Sequence, residues 1–171
     1  MNLKEANRLR SGAEFSADRT HRLALWRAWW MDDVSAPASS VIFIGLNPST
    51  ADEKTDDATI RKCIGFARRW NYGGVIMLNL FTLVSTDPRG VERAGNPNHE
   101  DANQVIRMYA GEETTIVCAW GRFPFAQKRA REVCALLVEF YLKCLEINAD
   151  GSPMHPLYVP YKRHLENYQF P

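Results

Sequence analysis

The chain has 171 residues, which fits a single domain over 1–171 able to bury roughly 70% of the surface its unfolded form would expose. Hydrophobic residues make up 46% and charged residues 24%, with a formal net charge of +1; disordered, collagen-like and coiled-coil architectures are excluded, and so is a strong global field for polyanions. No apolar run approaches the ~20 residues of a membrane span, so no membrane partner is expected, and the charged stretch MNLKEANRLRSGAEF stands where a signal peptide needs its hydrophobic segment, which points to the cytoplasm.

Residues 21–30, HRLALWRAWW, either alternate as a strand through Leu23, Leu25, Arg27 and Trp29 or present Leu23, Trp26 and Trp30 as one helical face; the strand reading makes them an N-terminal edge strand. VIFIG at 41–45 is apolar without alternation and rich in β-branched residues, as expected of a strand covered on both faces. A helix is predicted from about Thr55 to Trp70, with Ile60, Cys63, Ile64 and Ala67 at helical spacing and Asn71-Tyr72-Gly73-Gly74 ending it. Asp52, Asp56 and Asp57 read either as solvated residues or as the start of that helix. VIMLNLF at 75–81 is a second buried strand, 85–98 a loop rich in proline and glycine, and Glu100–Tyr109 a helix. TTIVCAW at 114–120 is a third strand, 124–140 a helix opened by Pro124, and KCLEI at 143–147 a fourth strand. Strands alternating with helices predict an α/β three-layer sandwich around a central, mainly parallel four-stranded sheet.

Cys63, Cys118, Cys134 and Cys144 include no C-x-x-C pair, so they read as buried thiols, and neither a metal nor a cofactor is expected. In open parallel sheets ligands bind beyond the carboxyl ends of the strands. That rule selects Gly45-Leu46-Asn47-Pro48-Ser49-Thr50, then Asn79, then Trp120-Gly121, and finally 152–157 with His155. Asn79 stands inside an apolar run, so its amide must bond either a neighbouring loop or a ligand. Basic residues fall in three groups: Arg61, Lys62, Arg68 and Arg69; Arg122, Lys128, Arg129 and Arg131; and Lys162, Arg163 and His164. Each group reads either as a solvated face or as phosphate contacts.

Together these stretches resemble the uracil-DNA glycosylase superfamily. GLNPST at 45–50 is similar to its first motif, GQDPYH, or GINPG in the mismatch-specific branch. FARRWNYGGVIMLN at 66–79 resembles its helix, turn and GVLLLN strand, IVCAWGRFPFAQKRA at 116–130 resembles VFLLWG followed by AQKK, and His155-Pro156 resembles the start of HPS. This superfamily resemblance covers roughly residues 40–158, and the chain also looks like an uncharacterised bacterial and phage family sharing GLNPSTAD and HPLY. The superfamily resemblance implies cleavage of an N-glycosidic bond. The base, which can be 5-substituted or otherwise modified, would be taken from DNA as a single-stranded or flipped residue. It implies that Asn79 reads the base, that Asn47 orients water with Asp52 the nearest carboxylate, and that His155 donates to the departing base. Gly45, Leu46, Pro48, Ser49, Thr50, Trp120 and Gly121 would line the substrate site, and Arg122, Lys128, Arg129, Lys162 and Arg163 would hold phosphates. Ser49 stands where a tyrosine blocks carbon 5 of the pyrimidine in uracil-specific relatives. The motifs contain no counterpart of the phenylalanine that stacks on the base, and HPS has become HPL. A hydrolase of free nucleosides or nucleotides, and a noncatalytic module for nucleic acid or modified bases, are the alternatives.

Overall fold

The computed structural model describes residues 10–30, 35–95, 97–111 and 113–171. Seven strands form one mixed sheet: β1 (Ser11–Phe15), β2 (Arg22–Ala28), β3 (Ser40–Gly45), β4 (Gly74–Asn79), β5 (Ile116–Cys118), β6 (Leu142–Cys144) and β7 (Glu166–Asn167). Their order is β1-β2-β4-β3-β5-β6-β7. The pairings within β4-β3-β5-β6 are parallel, and the three towards the edges, β1 with β2, β2 with β4 and β6 with β7, are antiparallel. The four expected strands are thus neighbours, but the sheet is wider and more mixed than a four-stranded parallel one. β5 and β6, at three residues each, are also much shorter than the expected runs at 114–120 and 143–147.

The expectation of an edge strand at 21–30 needs correction. β2 lies inside the sheet, all seven of its positions are buried, and β1 forms the edge. Arg22 and Arg27 are both buried because backbone carbonyls of the loop after β3 and of β2 itself meet their guanidinium groups. Arg27 donates from Nη1 to Trp26 O at 2.8 Å, from Nη2 to Asp52 O at 2.7 Å, and from Nε to Asp56 Oδ1 at 2.8 Å.

Among the described residues four α-helices accompany the sheet: α1 (Ala58–Arg69), α2 (Pro88–Arg93), α3 (Ala102–Tyr109) and α4 (Gln127–Leu136). Alternate strand residues feed two cores. Val41, Phe43, Val75 and Met77 pack with Ile60, Cys63 and Phe66 of α1. Ile42, Ile44, Ile76 and Leu78 pack with Val105 and Ile106 of α3 and Ala130 and Val133 of α4. The sheet therefore carries helices on both faces.

α1 starts at Asp57, whose carboxylate accepts Ile60 N–H at 2.9 Å, and ends in a Schellman turn. There Tyr72 N–H reaches Ala67 O and Asn71 N–H reaches Arg68 O, with Asn71 left-handed at φ 60°. Residues 85–98 are not all loop, since Asp87 caps Arg89 N–H and Pro88 sits in the first turn of α2, where its missing N–H costs nothing. The helix expected over 124–140 is a short 3-10 turn, Pro124–Ala126, followed by α4. Cys63, Cys118 and Cys144 are buried and Cys134 half-buried, and all four are free thiols. No helix among the described residues is long and apolar enough to cross a membrane.

Candidate functional site

β3 and β4 run parallel in register from Ser40 and Gly74 to Gly45 and Asn79, so their carboxyl ends stop side by side. The segments beyond them stay joined, with Leu80 N–H on Gly45 O, Phe81 N–H on Leu46 O and Ser85 N–H on Pro48 O. Asn47 stitches the same two segments. Its Nδ2 donates to Pro48 O and to Ser85 O, each at 2.8 Å. Because both donors are engaged by carbonyls, the amide orientation is set, and Oδ1 remains as an acceptor.

A third wall comes from the far side of the sheet. Past β6 the chain doubles back on itself, with Asn148 N–H on Ser152 O and Met154 N–H on Glu146 O, and turns at Gly151, where φ is +82°. Gly121 N–H then holds Pro153 O at 3.0 Å, which sets down His155 next to the ends of β3 and β4. Gly121 has φ +80°, and a Cβ there would meet Phe123 at 3.3 Å and His155 at 3.4 Å, so both conformation and space call for glycine.

These segments enclose a cavity of about 160 Å³. Of the residues selected from the sequence, Gly45, Leu46, Asn47, Ser49, Asn79 and His155 line it. Arg22, Asp57, Phe123, Ser85 and Thr86 line it as well. The cavity shares Thr86, Pro88, Phe123 and His155 with an adjoining groove of about 520 Å³, which also takes in Gly121, Arg122, Leu157 and Tyr158.

The polar groups of the cavity are unequally satisfied. Asn79 is 4% exposed, and its Nδ2 has no acceptor among the described residues. A Cβ on Gly45 would stand 3.0 Å from Asn79 Oδ1, so glycine at 45 gives that amide its room. Arg22 is 2% exposed; its Nη1 donates to Ala51 O at 2.8 Å, while its Nε is buried without an acceptor. Burial lowers the Arg22 pKa to about 10, against the opposing pull of Asp57, so the guanidinium stays charged near neutral pH. Burial also lowers the His155 pKa, again opposed by Asp57. Its Nδ1 accepts a long bond from Leu157 N–H, 3.4 Å, which in the neutral ring leaves the proton on Nε2.

Other selected residues stand apart from this cavity. Asp52 turns into its own loop, accepting Lys54 N–H at 2.8 Å and Thr55 N–H at 2.7 Å, bonds that hold its carboxyl below the usual range. Thr50 and Asp52 lie along a shallow depression with Phe15, and Pro48 is buried. Trp120 is a core residue, 2% exposed and edge-on to Tyr168 at 5.6 Å, because the chain beyond β5 continues beneath the C-terminal segment. Arg129 is buried and donates from Nε to Leu80 O at 2.8 Å, which removes it from the surface. Arg122 pairs with Asp150 and Arg163 with Glu146, while Lys128 and Lys162 are exposed. Tyr161 joins the first and third basic groups, lying 4.0 Å from Lys62 Nζ and 4.1 Å from the Arg69 guanidinium.

Sequence reasoning passed over Arg22, Asp57 and Phe123 as site residues. An arginine inside an apolar strand was the available signal for the first. For Asp57 it was the acidic residue three before Ile60 at a helix start. Phe123 carried none, since it reaches the cavity only through the turn at Gly121. Among the described residues no group of three or more His, Cys, Asp or Glu side chains is placed to hold a metal ion.

The fold and cleft define a mixed α/β protein with a small polar cavity at the carboxyl ends of two central parallel strands. Residues 22–157 match the family described as protein of unknown function DUF1643, and the chain belongs to that family. Neither a curated protein nor a solved structure matches it.

Proposed function

We propose that the chain is a nucleobase-recognising hydrolase, resembling uracil-DNA glycosylases, that cleaves the N-glycosidic bond of a base in DNA. The observation that carries this reading is the meeting of Asn47, Asn79 and His155, from three separate segments, around one cavity. At about 160 Å³ it is well below the roughly 300 Å³ at which pockets for larger ligands begin, and it suits a single ring.

In this reading Asn79 Nδ2 donates to a carbonyl of the base, and Asn47 Oδ1 accepts from the attacking water. Water adds to the sugar carbon as the bond to the base nitrogen breaks, and the electron pair leaves with the base. His155 Nε2–H faces the carbonyl oxygen on which that negative charge gathers, a contribution of about 3–4 kcal/mol for a single such donor. The water's proton passes to Asp57, the carboxylate that lines the cavity, rather than to Asp52. Serine at 49 leaves space for a 5-substituent, and Arg122, Leu157 and Tyr158 along the adjoining groove suit the flanking nucleotides of a flipped or single-stranded base.

One observation favours a noncatalytic base-binding module instead: the Asp57 carboxylate is already engaged in capping α1. Incubation with oligonucleotides carrying ordinary, deaminated and 5-substituted bases, followed by alkaline cleavage, separates the two. Abasic sites are expected, with His155→Ala and Asn47→Ala each lowering turnover about 10²-fold in protein that still folds, the Asn47 variant melting somewhat lower because Pro48 O and Ser85 O lose their donor. Base-dependent binding without abasic sites establishes the module. Binding of nucleosides with little salt dependence, and none of oligonucleotides, points to the free nucleoside as substrate.

A further inference from the structure

Arg22 and Asn79 share a feature that the reading above does not use for Arg22. Both side chains are more than nine-tenths buried, both line the same cavity, and each holds an N–H donor, Arg22 Nε and Asn79 Nδ2, with no protein acceptor. Buried donors are almost always paired, and two unpaired ones in a single small cavity specify acceptors on whatever fills it. β2 is hydrogen-bonded directly to β4, so the two residues stand on adjacent strands.

Charge narrows the occupant further. Arg22 and Asp57 both line the cavity, and their opposite charges balance there. A neutral ring enters without upsetting that balance, whereas a phosphate or carboxylate would meet Asp57. The donor on Arg22 therefore addresses a neutral acceptor atom rather than an anion.

We propose that Arg22 is a specificity-determining residue that reads the base together with Asn79, so that the cavity selects a neutral keto base presenting one acceptor to Asn79 Nδ2 and a second to Arg22 Nε. This rests on the base-binding reading above and adds to it a second donor. The keto group is the oxygen at position 4 of a uracil-type pyrimidine or at position 6 of a guanine-type purine. Amino bases put a donor at that place, which would confront an N–H with an NH₂.

The test is a titration of ¹⁵N-labelled protein with uridine, inosine, cytidine, adenosine and inorganic phosphate. It follows the Arg22 Nε–H signal, assigned through its own side chain to the backbone, and the Asn79 side-chain amide. Uridine or inosine should move both signals, and which of them does so identifies the ring. Cytidine and adenosine should bind at least about tenfold more weakly. Arg22→Lys keeps the charge but lacks Nε–H, and it should weaken the keto nucleoside by about tenfold or more. A nucleoside that moves the Asn79 amide while Arg22 Nε–H stays still overturns the role of Arg22 and leaves base binding intact. So does phosphate moving Arg22 Nε–H where no nucleoside does. If neither the nucleosides nor single-stranded oligonucleotides carrying the same bases move either signal, base reading fails and this inference fails with it.

Discussion

Replacing Asn79 by leucine should make the protein more stable and end its recognition of bases. Asn79 is 4% exposed, its Nδ2 is buried without an acceptor, and it ends β4 among Leu78, Leu80 and Gly45. Leaving a polar group buried and unpaired costs about 1–3 kcal/mol, and an apolar side chain of similar size removes that cost. The missing Cβ at Gly45, which would come within 3.0 Å of Asn79 Oδ1, leaves space on that side for a leucine methyl. A net gain of about 1–2 kcal/mol corresponds to a melting temperature about 2–8 °C higher in a chain of this size. Thermal melts of wild type, Asn79→Leu and Asn79→Ala measure it. The alanine variant also deletes the orphan but enlarges the cavity, so it should fall below the leucine variant. If Asn79→Leu melts below the wild type, the amide holds the fold together and its availability to a ligand is refuted.

Gly45→Ala should leave the melt within a few degrees yet weaken base binding about tenfold, because the added Cβ presses on Asn79 Oδ1 at 3.0 Å; unchanged affinity would show that the amide yields freely. Arg27→Met should cost about 3 kcal/mol in denaturant titrations, the lower end for a broken buried pair because Asp56 stays partly hydrated, with the carbonyls of Trp26 and Asp52 losing their donor. Stability should also fall with acid before the carboxylates titrate. Burial depresses the pKa of His155, and burial with nearby His99 depresses that of His21, so below about pH 6.5 the unfolded chain binds protons that the folded one resists. Full stability is expected above pH 6.5 and is lost as pH falls through the folded-state values; denaturation midpoints at pH 7.5, 6 and 5 should flatten in His155→Gln and His21→Gln.

The central strands were legible because parallel strands covered on both faces must be apolar throughout, and Val41–Gly45 and Val75–Asn79 are nearly so. β1 was not, since Ser11-Gly12-Ala13-Glu14-Phe15 lacks an apolar alternation and pairs only at the edge. The place of β2 inside the sheet was not legible, since burial of Arg22 and Arg27 depends on carbonyls of residues 51–55, far along the chain. Of the acidic residues between 52 and 57, the sequence reading singled out Asp52 as the nearest carboxylate, whereas it is Asp57 that lines the cavity. Asp57 reaches the cavity because a helix begins directly after it, and Asp52 does not because Oδ1 is drawn into its own backbone turn by Lys54 N–H and Thr55 N–H.

The arginines of β2 also tie the strand to the cleft. Arg27 holds Asp52 O and the Asp56 carboxylate, and Arg22 holds Ala51 O, so the second half of the loop from β3 to α1 is pinned to β2. That loop carries Ser49 and Asp57 into the cavity and starts α1 at the cavity wall. β2 in turn pairs with β4, which carries Asn79. A single antiparallel strand thus fixes two walls of the cleft relative to each other and contributes Arg22 itself as a lining group. The family match over residues 22–157 contains every residue that lines the cavity and leaves out the edge strands β1 and β7. The unit that the family defines is therefore the one that builds the cavity.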